Sequence, residues 1–311
     1  MRLQILTFVT FNDFMKISGS DLHLLTVFDC VVRNGGFSAA QAELGLSQPT
    51  ISNHITALEE RLGIRLCQRG RRGFMLTEKG RMVHEVSQDL FTAIGDSSSR
   101  LAELRGNMVG SLRVATVDCI STDDAMKLPD AISSFINHAP MIRFELSQQR
   151  PQEILRQVMD GALHVGIGSF DKAIHGLEFV DLYAERHSFY CGASHPLFHV
   201  PDADITEQMI EDSARIDRGY WSRQRQRALN IREIDLSVHE IESQLMIVLS
   251  GRYIGLLPDH LARSYVDAKR LRKFELDQDP YICQMQMVTK SGKKPVVIRA
   301  FCETLVQAHR E

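Results

Sequence analysis

The chain has 311 residues, of which 44% are hydrophobic and 24% charged, and its net charge is −3. That length exceeds what one typical core organises and calls for two or three domains. The composition excludes a disordered chain, and the slightly acidic balance excludes a protein coated all over by nucleic acid. Six cysteines (Cys30, Cys67, Cys119, Cys191, Cys283 and Cys302) are scattered without a CxxC pair, and the twelve histidines show no metal spacing. No metal or cofactor is therefore expected, and scattered thiols fit a reducing, cytoplasmic setting. The opening MRLQILTFVTF is a short apolar run with one basic residue and no small-residue cleavage site. It reads as an N-terminal extension, residues 1–20, and neither as a signal peptide nor as a membrane span.

From Asp21 to Gly80 the pattern is one of short helices and tight turns. Leu22, Leu25, Val27, Phe28 and Val31 give the apolar face of a first helix, which breaks at Asn34-Gly35-Gly36. Ser38 is placed as the N-cap of a second helix, Ala39 to Leu44, which Gly45 ends. Ser47 caps a third, with Pro49 in its first turn. Ile51, Ile55, Leu58 and Leu62 form its buried stripe, and the opposite face carries Gln48, Thr50, Ser52, Asn53 and Thr56, short donors and acceptors suited to base edges and phosphates. Two helices joined by so short a turn read either as an ordinary αα-corner or as a DNA-reading pair. The next segment favours the second reading. Leu66 to Leu76 has strand-like ends around a Gly/Arg turn, as a winged hairpin touching phosphate or minor groove requires, with Arg69, Arg71 and Arg72 as its cations. From Arg61 to Arg81 seven basic residues face the single acid Glu78.

The stretch FSAAQAELGLSQPTISNHITALEERLGIRLCQRGRRGFMLTEKG resembles the LysR-type transcriptional regulators, in which SQP opens the recognition helix, LE..LG closes it and LT..G starts a linker helix. The resemblance implies that Gln48, Pro49, Ser52 and the residue after it face bases, and that Arg69 and Thr77 face the DNA backbone. Ser38 is counted among the DNA contacts as well. Two positions depart from the family pattern: Asn53 stands where Arg is frequent, and Cys67 where the wing starts with Phe. Asn favours adenine where Arg favours guanine, so half-site preference is expected to differ.

Thr77 to about Arg105 reads as one long helix. Val83, Leu90, Ile94, Leu101 and Leu104 mark a roughly heptad seam, which Ser97-Ser98-Ser99 interrupts. The seam fits either packing on its own domain or dimerisation, and the family resemblance implies the latter, with a homodimer or homotetramer on DNA. Beyond Gly106 and Gly110, strands alternate with helices. Strands are expected at Leu112–Val117, Met141–Leu146, Leu163–Gly168, Phe189–Gly192, Tyr253–Leu257 and Tyr281–Thr289. Helices are expected at Lys127–Asn137, Pro151–Asp160, Ser222–Leu229, Glu240–Leu249 and Pro295–Gln307. A chain that crosses into a second lobe and returns makes a periplasmic-binding-protein-like, two-lobed effector domain. Ligands in open α/β sheets bind beyond strand C-termini. That places Thr116, Asp118, Ser121 and Thr122 on one wall, joined by Gln148, Gln149, Gln152, Gly168 and Ser169, with Arg218 and Tyr220 from the other lobe. The mixed charge near this mouth suits a zwitterion such as an amino acid. His164 stands where the family usually has Asp, which puts an internal polar contact there in question. Cys119 and Cys191 suggest either a redox sensor or buried structural thiols, and the absence of basic neighbours favours the second.

The expected architecture is α+β and multidomain. A winged helix-turn-helix at 21–80 and a linker helix at 77–105 precede a two-lobed α/β effector domain at 110–311. The expected function is sequence-specific binding of double-stranded DNA, modulated by a small-molecule effector and read out by RNA polymerase, without a membrane. The alternatives are an α/β solute-binding protein or enzyme with an accessory helical domain, or an architectural DNA binder. No GxSxG, GxGxxG, P-loop or HExxH supports an enzyme, and no catalytic residue is assigned. The large C-terminal region has no purpose in an architectural binder.

Overall fold

The computed structural model describes residues 17–70, 73–103, 108–170, 174–218, 236–275 and 281–310. The chain divides into two compact units, Met1–Ile94 and Gly95–Glu311.

In the first unit, α1 (Gly19–Arg33) opens on a capping box. The Ser18 hydroxyl accepts the Asp21 N–H at 3.4 Å, and the Asp21 carboxylate accepts the Ser18 N–H at 2.7 Å. Helix α2 (Ala40–Leu44) is followed by the three-residue turn Gly45–Ser47 and by α3 (Gln48–Leu62). Gly45 takes φ 63°, the left-handed conformation that lets so short a turn reverse the chain. Leu25, Phe28, Val31, Ile51, Ile55, Leu58 and Leu66 close one core between these helices. Strands β1 (Cys67–Gly70) and β2 (Gly73–Leu76) form the expected hairpin, with Cys67 opposite Leu76 and Arg69 opposite Phe74. The sequence assignment of Ser38 as the cap of α2 is corrected. Ala39 holds that position in αR conformation without a side-chain bond, because the helical path already starts where Ala40 N–H donates to Gly36 O. Exposed Ser38 instead accepts from the Gln41 side-chain amide through its carbonyl.

Helix α4 (Glu78–Glu103) follows at once. The Thr77 hydroxyl accepts Gly80 N–H at 2.8 Å and donates to Arg65 O at 2.7 Å, fixing the start of α4 against the base of the hairpin. A Cβ on Gly80 would lie 2.1 Å from Leu66 O, so only glycine allows this approach. The expected seam splits. Val83 and Leu90 pack on the core of the first unit, whereas Met82, Val86, Ile94 and Leu101 leave an exposed apolar stripe. Position 104 lies outside the described residues, and the helix runs through Ser97–Ser99 without a break.

The second unit is built on a nine-stranded mixed sheet. In chain order its elements are β3 (Gly110–Thr116), α5 (Leu128–His138), β4 (Ile142–Gln148), α6 (Pro151–Asp160), β5 (Val165–Gly168), β6 (Leu177–Gly192), α7 (Glu207–Glu211), β7 (Arg215–Arg218), β8 (Leu236–Val238), α8 (Ile241–Leu249), β9 (Ile254–Pro258), α9 (Asp259–Asp267), β10 (Leu271–Lys273), β11 (Tyr281–Lys290) and α10 (Val296–Ala308). The strand order is β4-β3-β5-β11-β6-β9-β7-β8, with β10 also on β6. Parallel β3, β4 and β5 with α5, α6 and α10 surround one core containing Leu112, Phe135, Ile154, Val165, Met287 and Phe301. Tyr190, Leu245, Val248, Leu257 and Leu271 form a second. Two lobes result, and β6 and β11 run antiparallel between them. The expected strand Phe189–Gly192 is only the end of a strand that starts at Leu177. The helix expected at 222–229 lies outside the described residues.

His164 retains the internal contact that was in question. Its Nδ1 accepts Arg113 N–H at 3.1 Å, and its Nε2 lies 3.3 Å from Asp96, which is itself 3.5 Å from the Arg113 guanidinium. Burial opposes ionisation of Asp96, but His164 and Arg113 outweigh it and hold the carboxyl below its ordinary range.

Gly80 and Gly95, both in α4, make a matched test of this packing. Gly80→Ala forces the Leu66 carbonyl to move, and overpacking of this kind costs ~1–3 kcal/mol. Nothing lies within 4 Å of a Cβ at Gly95, so Gly95→Ala gains up to ~1 kcal/mol from helix propensity. Thermal unfolding of the full chain should move down for the first and stay or rise for the second. Equal shifts would refute the close approach.

Candidate nucleic-acid interface and ligand cleft

The exposed face of α3 is prepared by its cap. Ser47 Oγ accepts Thr50 N–H at 3.3 Å and lies 2.8 Å from Thr50 Oγ1, while Gln48 N–H donates to the Gln41 side chain at 3.2 Å, locking α3 to α2. Gln48, Pro49, Asn53 and Thr56 are exposed, and Thr50 and Ser52 are half-buried. Thr56 donates its hydroxyl to Ser52 O at 3.0 Å, leaving its oxygen as an acceptor. One turn beyond this face, the buried carboxylate of Glu59 accepts Leu66 N–H at 2.7 Å, Cys67 N–H at 3.2 Å and the Arg65 guanidinium at 3.1 Å. A single side chain thereby ties the recognition helix to the first strand of the hairpin. Arg69 is in β1, and positions 71 and 72 lie outside the described residues. The Thr77 hydroxyl serves the start of α4 through both its donor and an acceptor, as described above.

In the second unit a cavity of about 880 Å³ opens between the lobes. Four of the expected residues, Asp118, Gln148, Gln149 and Gln152, line it together. Arg150, Pro151, Glu153, Arg156, His239, Glu240 and Glu242 complete it. Sequence position after β4 made the glutamines legible. The Arg150 and Glu240 contributions depend on two helix starts, those of α6 and α8, facing each other across the cavity. Arg150 reaches Glu240 at 2.8 Å, and Asp118 accepts the Ile241 N–H at 2.5 Å, so both link one lobe to the other. Burial pushes the Asp118 carboxyl up, against the opposing pull of that amide and of Arg218. The other expected residues are placed differently. Thr116 is buried in β3, and its carbonyl accepts Gln149 N–H. Gly168 packs on Val117, where a Cβ would lie 2.6 Å from a methyl group. Thr122 turns away to His260 at 2.7 Å. Arg218 is buried behind Asp118 and donates to Gln244 at 3.1 Å. Ser121 is exposed and Ser169 half-buried, neither lining the cavity, and position 220 lies outside the described residues.

The thiols of Cys119 and Cys191 are buried, and burial first of all pushes each up to about 12. Thiolate at neutral pH is then negligible, and the reading of both as structural thiols is supported.

A winged helix-turn-helix joined to a two-lobed unit with a polar cleft defines a DNA-binding regulator that senses a small molecule. Residues 22–81 match the model of the bacterial regulatory helix-turn-helix protein, lysR family, and residues 105–310 match the LysR substrate binding domain. The chain belongs to the LysR-type transcriptional regulators, and is thus a transcription regulator and not an enzyme. It is 34% identical to the HTH-type transcriptional activator BauR of Pseudomonas aeruginosa, over 93% of this chain and 96% of that protein. It is 27% identical to the glycine cleavage system transcriptional activator of Escherichia coli, over 80% of this chain and 81% of the relative. The fold is shared with full-length CbnR in complex with its target DNA, at a TM-score of 0.67 and 20% identity, covering 93% of this chain and 100% of that one. Among the described residues no helix is long and apolar enough to cross a membrane.

Asp118 yields a charge-against-acceptor test. A carboxyl whose folded pKa is raised contributes stability below its unfolded pKa and loses it as pH rises through the folded value. At pH 7 the charge is therefore a cost, while the acceptor for Ile241 N–H is a gain. Asp118→Asn should leave the thermal midpoint at pH 7 unchanged or higher, and Asp118→Ala should lower stability by ~1–2 kcal/mol. If Asn lost as much as Ala, the charge and not the acceptor would be the stabilising element.

Proposed function

We propose that this regulator binds an interrupted palindrome as a homodimer or homotetramer and changes its grip on DNA when a small zwitterion enters the cleft. On this reading residues 21–80 bind DNA, 77–105 link and dimerise, and 110–311 sense the effector, in a cytoplasmic protein. Gln48, Pro49, Ser52 and Asn53 read bases, helped by Thr50 and Thr56, while Arg69, Arg71 and Arg72 of the hairpin hold phosphates. Ser38 sits at the edge of this face, and Thr77 acts through the start of α4. The exposed stripe Met82, Val86, Ile94 and Leu101 meets its counterpart on a second chain, which a twofold operator requires. BauR and the E. coli relative are activators by name, and we extend that output, through contact with RNA polymerase, to this chain.

The observation that carries the reading is the mixed wall of the cleft. Arg150 and Arg156 supply cations, Asp118, Glu153, Glu240 and Glu242 supply anions, and three glutamines add neutral donors and acceptors. A small molecule bearing both an amine and a carboxylate satisfies such a set, whereas an apolar effector does not. Binding can shift the lobes only by its differential affinity for their two arrangements.

The test is binding of the purified protein to the DNA upstream of its own gene at several salt concentrations. Arg69→Ala should weaken binding and lower the salt slope by about one, as loss of one phosphate contact demands. Ser52→Ala should weaken binding without changing the slope. An unchanged slope in Arg69→Ala would remove the hairpin from the interface. Absence of selective binding by the folded parent would overturn the operator assignment.

A further inference from the structure

Where β6 and β11 pass between the lobes, they bring together side chains that neither the DNA-reading face nor the cleft uses. Glu185 and His187 stand two residues apart on β6 and so share one face of the strand. Cys283 is the direct cross-strand partner of Glu185 on β11 and emerges on that same face. On the other flank of β6, Pro258 pairs with His187, and the chain turns straight into α9 to deliver His260. Asp123 arrives from the turn that follows β3. Glu185 lies 2.5 Å from His187 Nε2 through one oxygen and 3.1 Å from His260 Nε2 through the other. Asp123 lies 3.7 Å from the same His260 nitrogen. Donor atoms of Glu185, His187 and Cys283 all fall within 4.8 Å of one another, as do those of Asp123, Glu185 and His260.

Two polar atoms at this place are left over. His187 is fully buried, and its Nδ1 has no hydrogen-bond partner. Tyr183, two residues before Glu185 on β6, buries a hydroxyl with none either. Each such atom is costly to bury unless something binds it. His260, in contrast, is already oriented: its Nδ1 meets Thr122 Oγ1 at 2.7 Å, which fixes the ring and turns Nε2 towards the carboxylates. That is how a protein orients a ligating carboxylate from behind.

We propose that Glu185, His187 and Cys283 form a binding site for a divalent transition ion of the zinc type, with His260 and Asp123 behind the Glu185 carboxylate. One carboxylate and one thiolate neutralise a divalent charge, as burial requires. A set of an imidazole, a thiolate and a carboxylate selects zinc-like ions over magnesium or calcium, which take oxygen donors. The donors come from the two crossing strands, with His260 of α9 from one lobe and Thr122 and Asp123 from the other behind them. The bound ion therefore pins one arrangement of the lobes and links metal occupancy to the position of the cleft. Binding of the ion does not depend on the effector reading; only this coupling does.

The experiment uses the full-length reduced protein, stripped with a chelator and titrated anaerobically with Co²⁺, which reports thiolate ligation and coordination number in its absorption spectrum. The expected result is one equivalent per chain, a thiolate-to-cobalt charge-transfer band, d–d bands of four-coordinate intensity, and full displacement by Zn²⁺. Cys283→Ser should abolish the charge-transfer band, His260→Ala should weaken affinity at least ~10-fold, and Cys191→Ser should change neither. Folded parent protein that shows no such band, or a band that survives in Cys283→Ser, overturns the proposal. The parent spectrum decides the matter even if a hinge variant fails to fold, and because no DNA is present, failure here leaves the regulator reading intact.

Discussion

The antiparallel pairing of β6 with β11 runs from Leu177 opposite Lys290 to His187 opposite Tyr281, with a register shift at Met285/Gln286. Both lobes hang from it. Met285, Met287 and Val288 of β11 belong to the core of the first lobe, while β6 continues past the pair to place Tyr190 in the core of the second. Backbone hydrogen bonds run along the ladder whatever the side chains do. The lobes can therefore differ in chemistry and in relative position while their connection stays fixed. The cleft, the Asp118 and Arg150 links across it and the hinge cluster are all set by where this pair lets the lobes approach.

In the smaller unit the equivalent constraint is Glu59. A carboxylate held by two backbone amides and a guanidinium couples the last turn of the recognition helix to the hairpin. The helix and the hairpin thereby become one rigid body, and Gly80 lets α4 start directly against it. The glycine in the family's LT..G run has a steric reason: a backbone carbonyl occupies the space its side chain would need.

Local punctuation made much of this legible from sequence. Helix α6 runs from Pro151 to Asp160 as expected, because Pro fixes its start and Gly161, at φ 83°, its end. The recognition helix, the hairpin and four cleft residues were legible for the same reason. What escaped was long-range. Strand β6 carries Glu178, Asp181, Glu185 and Arg186 among its apolar residues, and no single face reads as buried, since the strand passes from one environment to another. Val83 and Leu90 sit at seam positions but point home, because α4 packs on its own unit before it leaves it. Thr116 and Gly168 lie at the expected strand ends, yet packing uses them. The hinge cluster escaped because its donors lie between positions 123 and 283 and meet only through strand register, which no spacing rule records.

Asp118 occupies the first amide of α8, the positive end of that helix's dipole, and it comes from the opposite lobe. The protein thus holds its own acceptor at the helix start that faces the cleft. On the proposed reading of the cleft, an effector carboxylate arriving there would displace a tethered one, whose effective concentration does not change with dilution. On that reading an effector's dissociation constant would report the difference between two carboxylates at the same helix end. A weak apparent affinity is then compatible with a large change in lobe position, and the length of the Asp118 side chain becomes a setting for the concentration at which the regulator responds.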